Sequence, residues 1–159
     1  MNNIKSYSEP SSVNLLFWLP SMTFILHTLE ELPDFPIWVS KHFSQMSVVE
    51  FSVIHIPLIW LVFWVSYRAA ATNSTSAWRF LAYAAQWQFA FNATFHLGAS
   101  AAFGDYSPGM VTGASVALPA TLFMTARCHQ LGLMPMDQAL RAGGVGAVIA
   151  VIAIGTLFA

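Results

Sequence analysis

Charge is what this sequence has least of. Of its 159 residues, 6 are Lys or Arg and 7 are Asp or Glu, giving 8% charged residues and a formal net charge of -1. With no basic run or stripe, the chain has no electrostatic footprint for nucleic acid. Its composition is also the reverse of a disordered tail, which needs low hydrophobicity and high charge. Cysteine is almost missing as well. Cys128 stands alone, so neither an intrachain disulfide nor a paired-thiol metal or redox motif can form, and it reads as a small buried residue. There is no internal repeat, no heptad pattern and no low-complexity tract.

What fills the chain instead is apolar surface. Hydrophobic residues make up 57% of it and the mean hydropathy is +0.61, against about 45–50% apolar residues in a soluble domain. The sequence therefore reads as an integral membrane protein. A hydrocarbon core about 30 Å thick takes roughly 20 apolar residues to cross as a helix. Five segments meet that length, at 12–32, 46–67, 77–99, 109–130 and 138–158, separated by "LPDFP", "RAAATNSTS", "GDYSPG" and "GLMPMD". The expected fold is all-α, a polytopic membrane bundle of five transmembrane helices forming one domain over residues 1–159. The first segment lacks a small-residue cleavage site and runs into Glu30, Glu31 and Pro33, so it reads as a retained helix that ends there.

Lys and Arg should collect on the cytoplasmic side. Five spans place Lys5, Arg68, Arg79, Arg127 and Arg141 on one side and Lys41 on the other, which predicts the N-terminus inside and the C-terminus outside. Pro57 and Pro119 fall inside helices, where each frees a carbonyl that needs another partner. Two stripes of small residues at four-residue spacing, Gly109, Gly113 and Ala117, then Ala142, Gly146 and Ala150, suit close helix packing or a homo-oligomeric interface. Trp18, Trp38, Trp78 and Trp87 read as interfacial or lipid-facing aromatics.

The few polar residues are unevenly placed. His27, Glu30 and Glu31 lie three and four apart, so at about 100° per residue both carboxylates fall within roughly 60° of the histidine. Asn92 and His96 share a face of the third span, at a depth matching His27, about 23 Å along its own helix. Glu50 and His55, near the start of the second span, belong to the same leaflet, and Tyr106 sits in the loop above it. The opposite half carries almost nothing comparable. Each group has a plain structural alternative: His55 can simply donate to a neighbouring carbonyl, and Glu30, Glu31 and Glu50 can mark a helix end. His42, beside Lys41, reads as solvated and His129 as interfacial on the far side. An ionised group in hydrocarbon nonetheless costs several kcal/mol, so a whole layer of them asks for a common partner.

Two imidazoles and a carboxylate suffice for a catalytic zinc site with an open position, and the same ligands suit non-haem iron. The expected ligands are His27, Glu30 and His96, with Glu31 as general base and a further possible ligand, and Glu50 available for a second metal. Asn92 would orient a ligand, substrate or water, and Tyr106 would act as a lid contributing a hydroxyl. The expected reaction is hydrolytic or hydration-type, on a small amphiphilic or lipid-like substrate. Two other readings stand beside it: a metal-free acid–base isomerase or cyclase acting on a lipophilic substrate, and an ion or small-molecule transporter.

At these residues the sequence resembles the HXXEE family of small bacterial membrane proteins, through His27-Thr28-Leu29-Glu30-Glu31, the prolines and Trp38 that follow, Glu50-Phe51, Asn92 and His96, and Tyr106, Pro108 and Gly109. The resemblance implies a site at His27, Glu30, Glu31, Asn92 and His96, and a place in the bacterial inner membrane. It implies no particular reaction.

Overall fold

The structure, a computed structural model, describes residues 11–71 and 77–158. It is all-helical, with no strand among the described residues. A short α1 (Ser11–Leu16) leads into α2 (Leu19–His42), α3 (Val48–Ala70) and α4 (Ala77–Phe103). The next helix runs in three pieces, α5 (Met110–Thr112), a π-helical turn (Gly113–Ala117) and α6 (Leu118–Gln130). Then α7 (Met136–Gly155) closes in a 3₁₀ turn (Thr156–Phe158). The long helices thus correspond to the five expected segments. Lys5, used in the charge comparison, and positions 72–76 of the second connection lie outside the described residues.

The largest departure is in α2, which does not end at Glu31 but continues through Pro33 and Pro36 to His42. A proline inside a helix costs about 3 kcal/mol, which favours stopping. Ending the helix there would instead leave the backbone of a segment with Phe35, Pro36, Trp38 and Val39 buried to find other partners. The second half of α2 is also held in place. Phe35, Trp38 and Val39 pack with Phe51, Ala99 and Leu157. Ser40 Oγ donates to the Pro36 carbonyl at 2.8 Å. The motif therefore sits in the middle of a 24-residue helix rather than at its end.

The small-residue stripes are used inside the chain. Ala142, Gly146 and Ala150 are buried where α7 lies along α4, the helix at the centre of the bundle. A Cβ on Gly146 would stand 2.6 Å from the Ala84 carbonyl oxygen, so only glycine allows this approach. Gly113 lies against Ala93 in the same way, its Cβ position 3.0 Å from the Ala93 Cβ. At Pro119 the chain resolves the proline problem with the π-turn, in which Leu118 N–H bonds back five residues to the Gly113 carbonyl.

Val48–Ala70 and Met136–Phe158 are long and apolar enough to cross a membrane. By that measure α2 and α4 do not qualify, because α2 carries Glu30, Glu31, Asp34 and Lys41 and α4 carries Gln86, Gln88, Asn92 and His96. The 110–130 helix is divided by its π-turn. Below the motif, where the sequence suggests little polarity, Gln86 is fully buried. It donates to Thr121 Oγ1 at 3.0 Å and accepts from Thr23 Oγ1 at 3.4 Å, a network closed on itself.

Candidate metal centre

Helix geometry separates the two glutamates of the motif. Glu31 follows His27 by four residues and stays on its face, whereas Glu30 lies about 100° away from Glu31 around the axis. Glu31 accordingly turns into the bundle beside His96 of α4, while Glu30 turns toward the 106–112 segment. Glu31 Oε1 stands 3.4 Å from His27 Nε2 and 3.2 Å from His96 Nε2. The three side chains offer ligand atoms all within 4.8 Å of one another. Their residues are 4%, 3% and 0% exposed for His27, Glu31 and His96, so no bulk water is available to solvate the carboxylate.

Each imidazole is fixed at its other nitrogen. His27 Nδ1 lies 2.9 Å from Thr112 Oγ1, and His96 Nδ1 lies 2.9 Å from Ser107 Oγ. Asn92 Nδ2 reaches both Nε2 atoms, at 2.8 Å for His27 and 3.1 Å for His96. The rings meet edge to face with centroids 5.0 Å apart. Phe35 packs on His96 from one side of the layer, and stacked Phe24 and Phe89 pack nearby on the other.

The 104–109 turn closes this end of the bundle. Gly109 has φ +104°, and its Cβ position would be 2.7 Å from His27 Cε1 and 2.8 Å from His96 Cε1, so the backbone rests on both rings. Asp105 fastens the turn to α2, its Oδ1 accepting from Trp38 Nε1 at 3.0 Å and its Oδ2 from Lys41 Nζ at 2.6 Å and His42 Nε2 at 2.9 Å. These donors, Lys41 first, hold the Asp105 carboxyl well below the ordinary carboxylate range. Glu30 is a second fastening. It accepts from the Tyr106 hydroxyl, from Val111 N at 3.0 Å, from Thr112 N at 2.7 Å and from Thr112 Oγ1. It thereby satisfies two of the free N–H groups at the start of α5. Burial, then the bond to Glu30, push the Tyr106 phenol up to about 12, so it remains a donor.

The expected site residues thus divide. His27, Glu31, His96 and Asn92 converge. Glu30 occupies the 106–112 segment instead of the ligand position expected for it, and Glu31 stands there in its place. Glu50 is exposed at the start of α3, where it forms a capping box with Ser47. Tyr106 reaches Glu30 rather than the space between the histidines. His55 makes the carbonyl bond expected of it, with Nδ1 2.8 Å from Phe51 O, and also turns Nε2 to within 3.9 Å of Glu31 Oε2. The sequence pointed to neither Thr112 nor Ser107, since a single hydroxyl, whether in an apolar run or in a turn such as "GDYSPG", carries no signal. Glu50 did carry one: Ser47-Val-Val-Glu50 is the capping-box pattern.

Two imidazoles, each hydrogen-bonded at its other nitrogen, and one buried carboxylate form a ligand set suited to a transition metal. Among known families, residues 18–124 match one described as "Protein of unknown function with HXXEE motif". The match covers well over half of the chain, which therefore belongs to that family. No curated protein and no solved structure matches it.

Proposed function

We propose that this chain is a membrane enzyme whose His27, Glu31 and His96 hold a divalent transition metal, zinc or iron. The observation that carries the reading is the spacing of Glu31 Oε1 from the two Nε2 atoms, 3.4 and 3.2 Å. Ligand atoms arranged tetrahedrally around zinc at about 2.0–2.1 Å stand about 3.3 Å apart. Two of the three donor separations therefore match a tetrahedral site, the third lies within 4.8 Å, and the Asn92 amide now against both Nε2 atoms would turn aside for the metal. Asn92 Nδ2 can only donate, so the two Nε2 atoms it touches present lone pairs to the same space as the carboxylate. Such a convergence in a dry layer suits a shared cation or proton.

When bound, the metal would supply a Lewis acid to polarise an oxygen of substrate or water, which suits hydrolytic or hydration-type chemistry. The protein's own part is to hold the three donors, to orient the reacting group with the Asn92 amide, and to exclude water with the Gly109 backbone. His55, beside the outer oxygen of Glu31, is the nearest further base. The substrate proposed is small and amphiphilic or lipid-like, because the residues around the site are aromatic and α3 exposes Val53, Ile54, Ile56, Trp60 and Leu61. That exposed surface supports a membrane location, and the proposed arrangement, five spans in a bacterial inner membrane with the N-terminus inside, rests on the placement of Lys and Arg in the sequence. A C-terminal alkaline phosphatase fusion should then be active, and an inactive one would overturn the orientation.

The metal reading is tested with Co²⁺ added to the metal-free protein in lipid nanodiscs. Saturable visible absorption at one equivalent, abolished in His27→Ala, is expected; no such absorption in the wild type would refute it. The three imidazoles around one carboxylate support a second reading, metal-free proton transfer on a lipophilic substrate by an isomerase or cyclase. Turnover surviving exhaustive chelation would favour it.

A further inference from the structure

Glu30 does not reach the Nε2 atoms, yet counting hydrogens connects it to one of them. The Thr112 hydroxyl has a single hydrogen, and its oxygen lies against Glu30 Oε2, which as a carboxylate can only accept. Each Glu30 oxygen accepts a backbone N–H that can only donate, Val111 N on Oε1 and Thr112 N on Oε2, an arrangement that favours the ionised carboxylate. The other acceptor near that hydroxyl, Gly109 O, is at 3.5 Å and much the farther of the two, so the hydrogen goes to Glu30. With its hydrogen committed, Thr112 Oγ1 can only accept from His27 Nδ1, 2.9 Å away. The neutral ring then carries its hydrogen on Nδ1 and its lone pair on Nε2. Nε2 is the atom facing Glu31 and Asn92. His96 differs, because its Nδ1 meets the Ser107 hydroxyl, for which no carboxylate acceptor occurs among the described hydrogen bonds.

We infer that Glu30 is a positioning residue which, through the Thr112 hydroxyl, fixes His27 as the Nδ1–H tautomer and so presents Nε2 to the centre. The two glutamates of the motif then have different tasks: Glu31 supplies an oxygen to the site, and Glu30 orients the imidazole one helical turn before it. The tautomer stands independently of any metal. Its effect on metal affinity rests on the metal reading above.

The test uses the full chain, labelled with ¹⁵N-histidine, in lipid nanodiscs, stripped of metal and at alkaline pH where the rings are neutral. Imidazole ¹⁵N shifts report which nitrogen is protonated, and His27→Gln assigns the His27 signals. Wild type and Thr112→Ser should show His27 as Nδ1–H. Thr112→Val and Glu30→Ala should move it toward Nε2–H, with the His96 signals in place. Zn²⁺ affinity should fall on the order of 10–100-fold in those two variants and recover in Thr112→Ser. Should Glu30→Ala fail to fold for want of its contacts to α5, Thr112→Val carries the test. An Nε2–H ring in the wild type, or an unchanged Nδ1–H ring in Thr112→Val or in a folded Glu30→Ala, would overturn the inference. A tautomer shift as expected with no Zn²⁺ binding even in the wild type would uphold it and refute the metal reading instead.

Discussion

Replacing Gly109 by alanine adds one methyl group at the point where the outer turn rests on the two histidines. The magnitude follows from two terms. At φ +104° an L-residue is strained, by about 1–2 kcal/mol. The new Cβ would also stand 2.7 Å from His27 Cε1, 2.8 Å from His96 Cε1 and 2.9 Å from His96 Nε2. Ordinary carbon contacts begin near 3.5 Å, so both rings must retreat by roughly 0.7 Å. They are held at Nδ1 by Thr112 and Ser107 and cannot simply rotate away. Overpacking of this kind costs about 1–3 kcal/mol, for a total of about 2–5 kcal/mol. The same displacement pulls Nε2 out of line with Glu31, and metal affinity should fall on the order of tenfold or more. Gly104→Ala is the control, because Gly104 has φ +69° with nothing within 4 Å of its Cβ position, so only the backbone term applies. Unfolding in a graded detergent–denaturant mixture and a Zn²⁺ competition titration would be run on both variants. A Gly109→Ala protein no less stable than Gly104→Ala, with wild-type affinity, would show that the turn does not bear on the histidines.

Other consequences are simpler. Gly146→Val should detach α7 from α4 and cost upward of about 3 kcal/mol, since its Cβ would meet the Ala84 carbonyl and the Gln88 amide nitrogen, both backbone; a melting temperature near wild type would contradict that packing. Glu50→Gln should leave metal stoichiometry unchanged, because Glu50 caps its own helix, whereas a loss of metal would return it to the site. The Asp105 fastening should be insensitive to moderate acid. Its folded pKa is depressed below the ordinary 3.8, so its contribution is complete above that value and is lost only as pH falls through the folded one. The Trp38 indole N–H resonance should therefore hold its position from neutral pH down to about 4 and move at neutral pH in Asp105→Asn. Movement well above pH 4 in the wild type would refute the fastening.

Five long helices could be read from sequence because apolar runs between turn residues mark helices whatever their neighbours do. Ala77, for instance, starts α4 where expected, although the helix continues four residues beyond the expected end to Phe103. The end of α2 was illegible for a definite reason. Pro33 and Asp34 are genuine local stop signals, overridden by contacts of Phe35, Trp38 and Val39 to α3, α4 and the C-terminal turn. Matching depths were enough to bring His27 and His96 together. They were not enough to rank Glu30 against Glu31, because both lie within roughly 60° of His27 and the choice depends on where α4 and the 106–112 segment settle. The partners of the imidazole Nδ1 atoms come from Ser107 and Thr112, eleven or more residues away in sequence, and no spacing rule points to them.

Whether the proposed ligands His27, Glu31 and His96 hold a metal is decided by elemental analysis of protein purified without a histidine tag, wild type beside His96→Ala. Close to one zinc or iron per chain is expected in the wild type, with its loss in a variant that remains folded. Equal metal in the two proteins, or none in a wild type offered zinc and iron, would contradict the proposal.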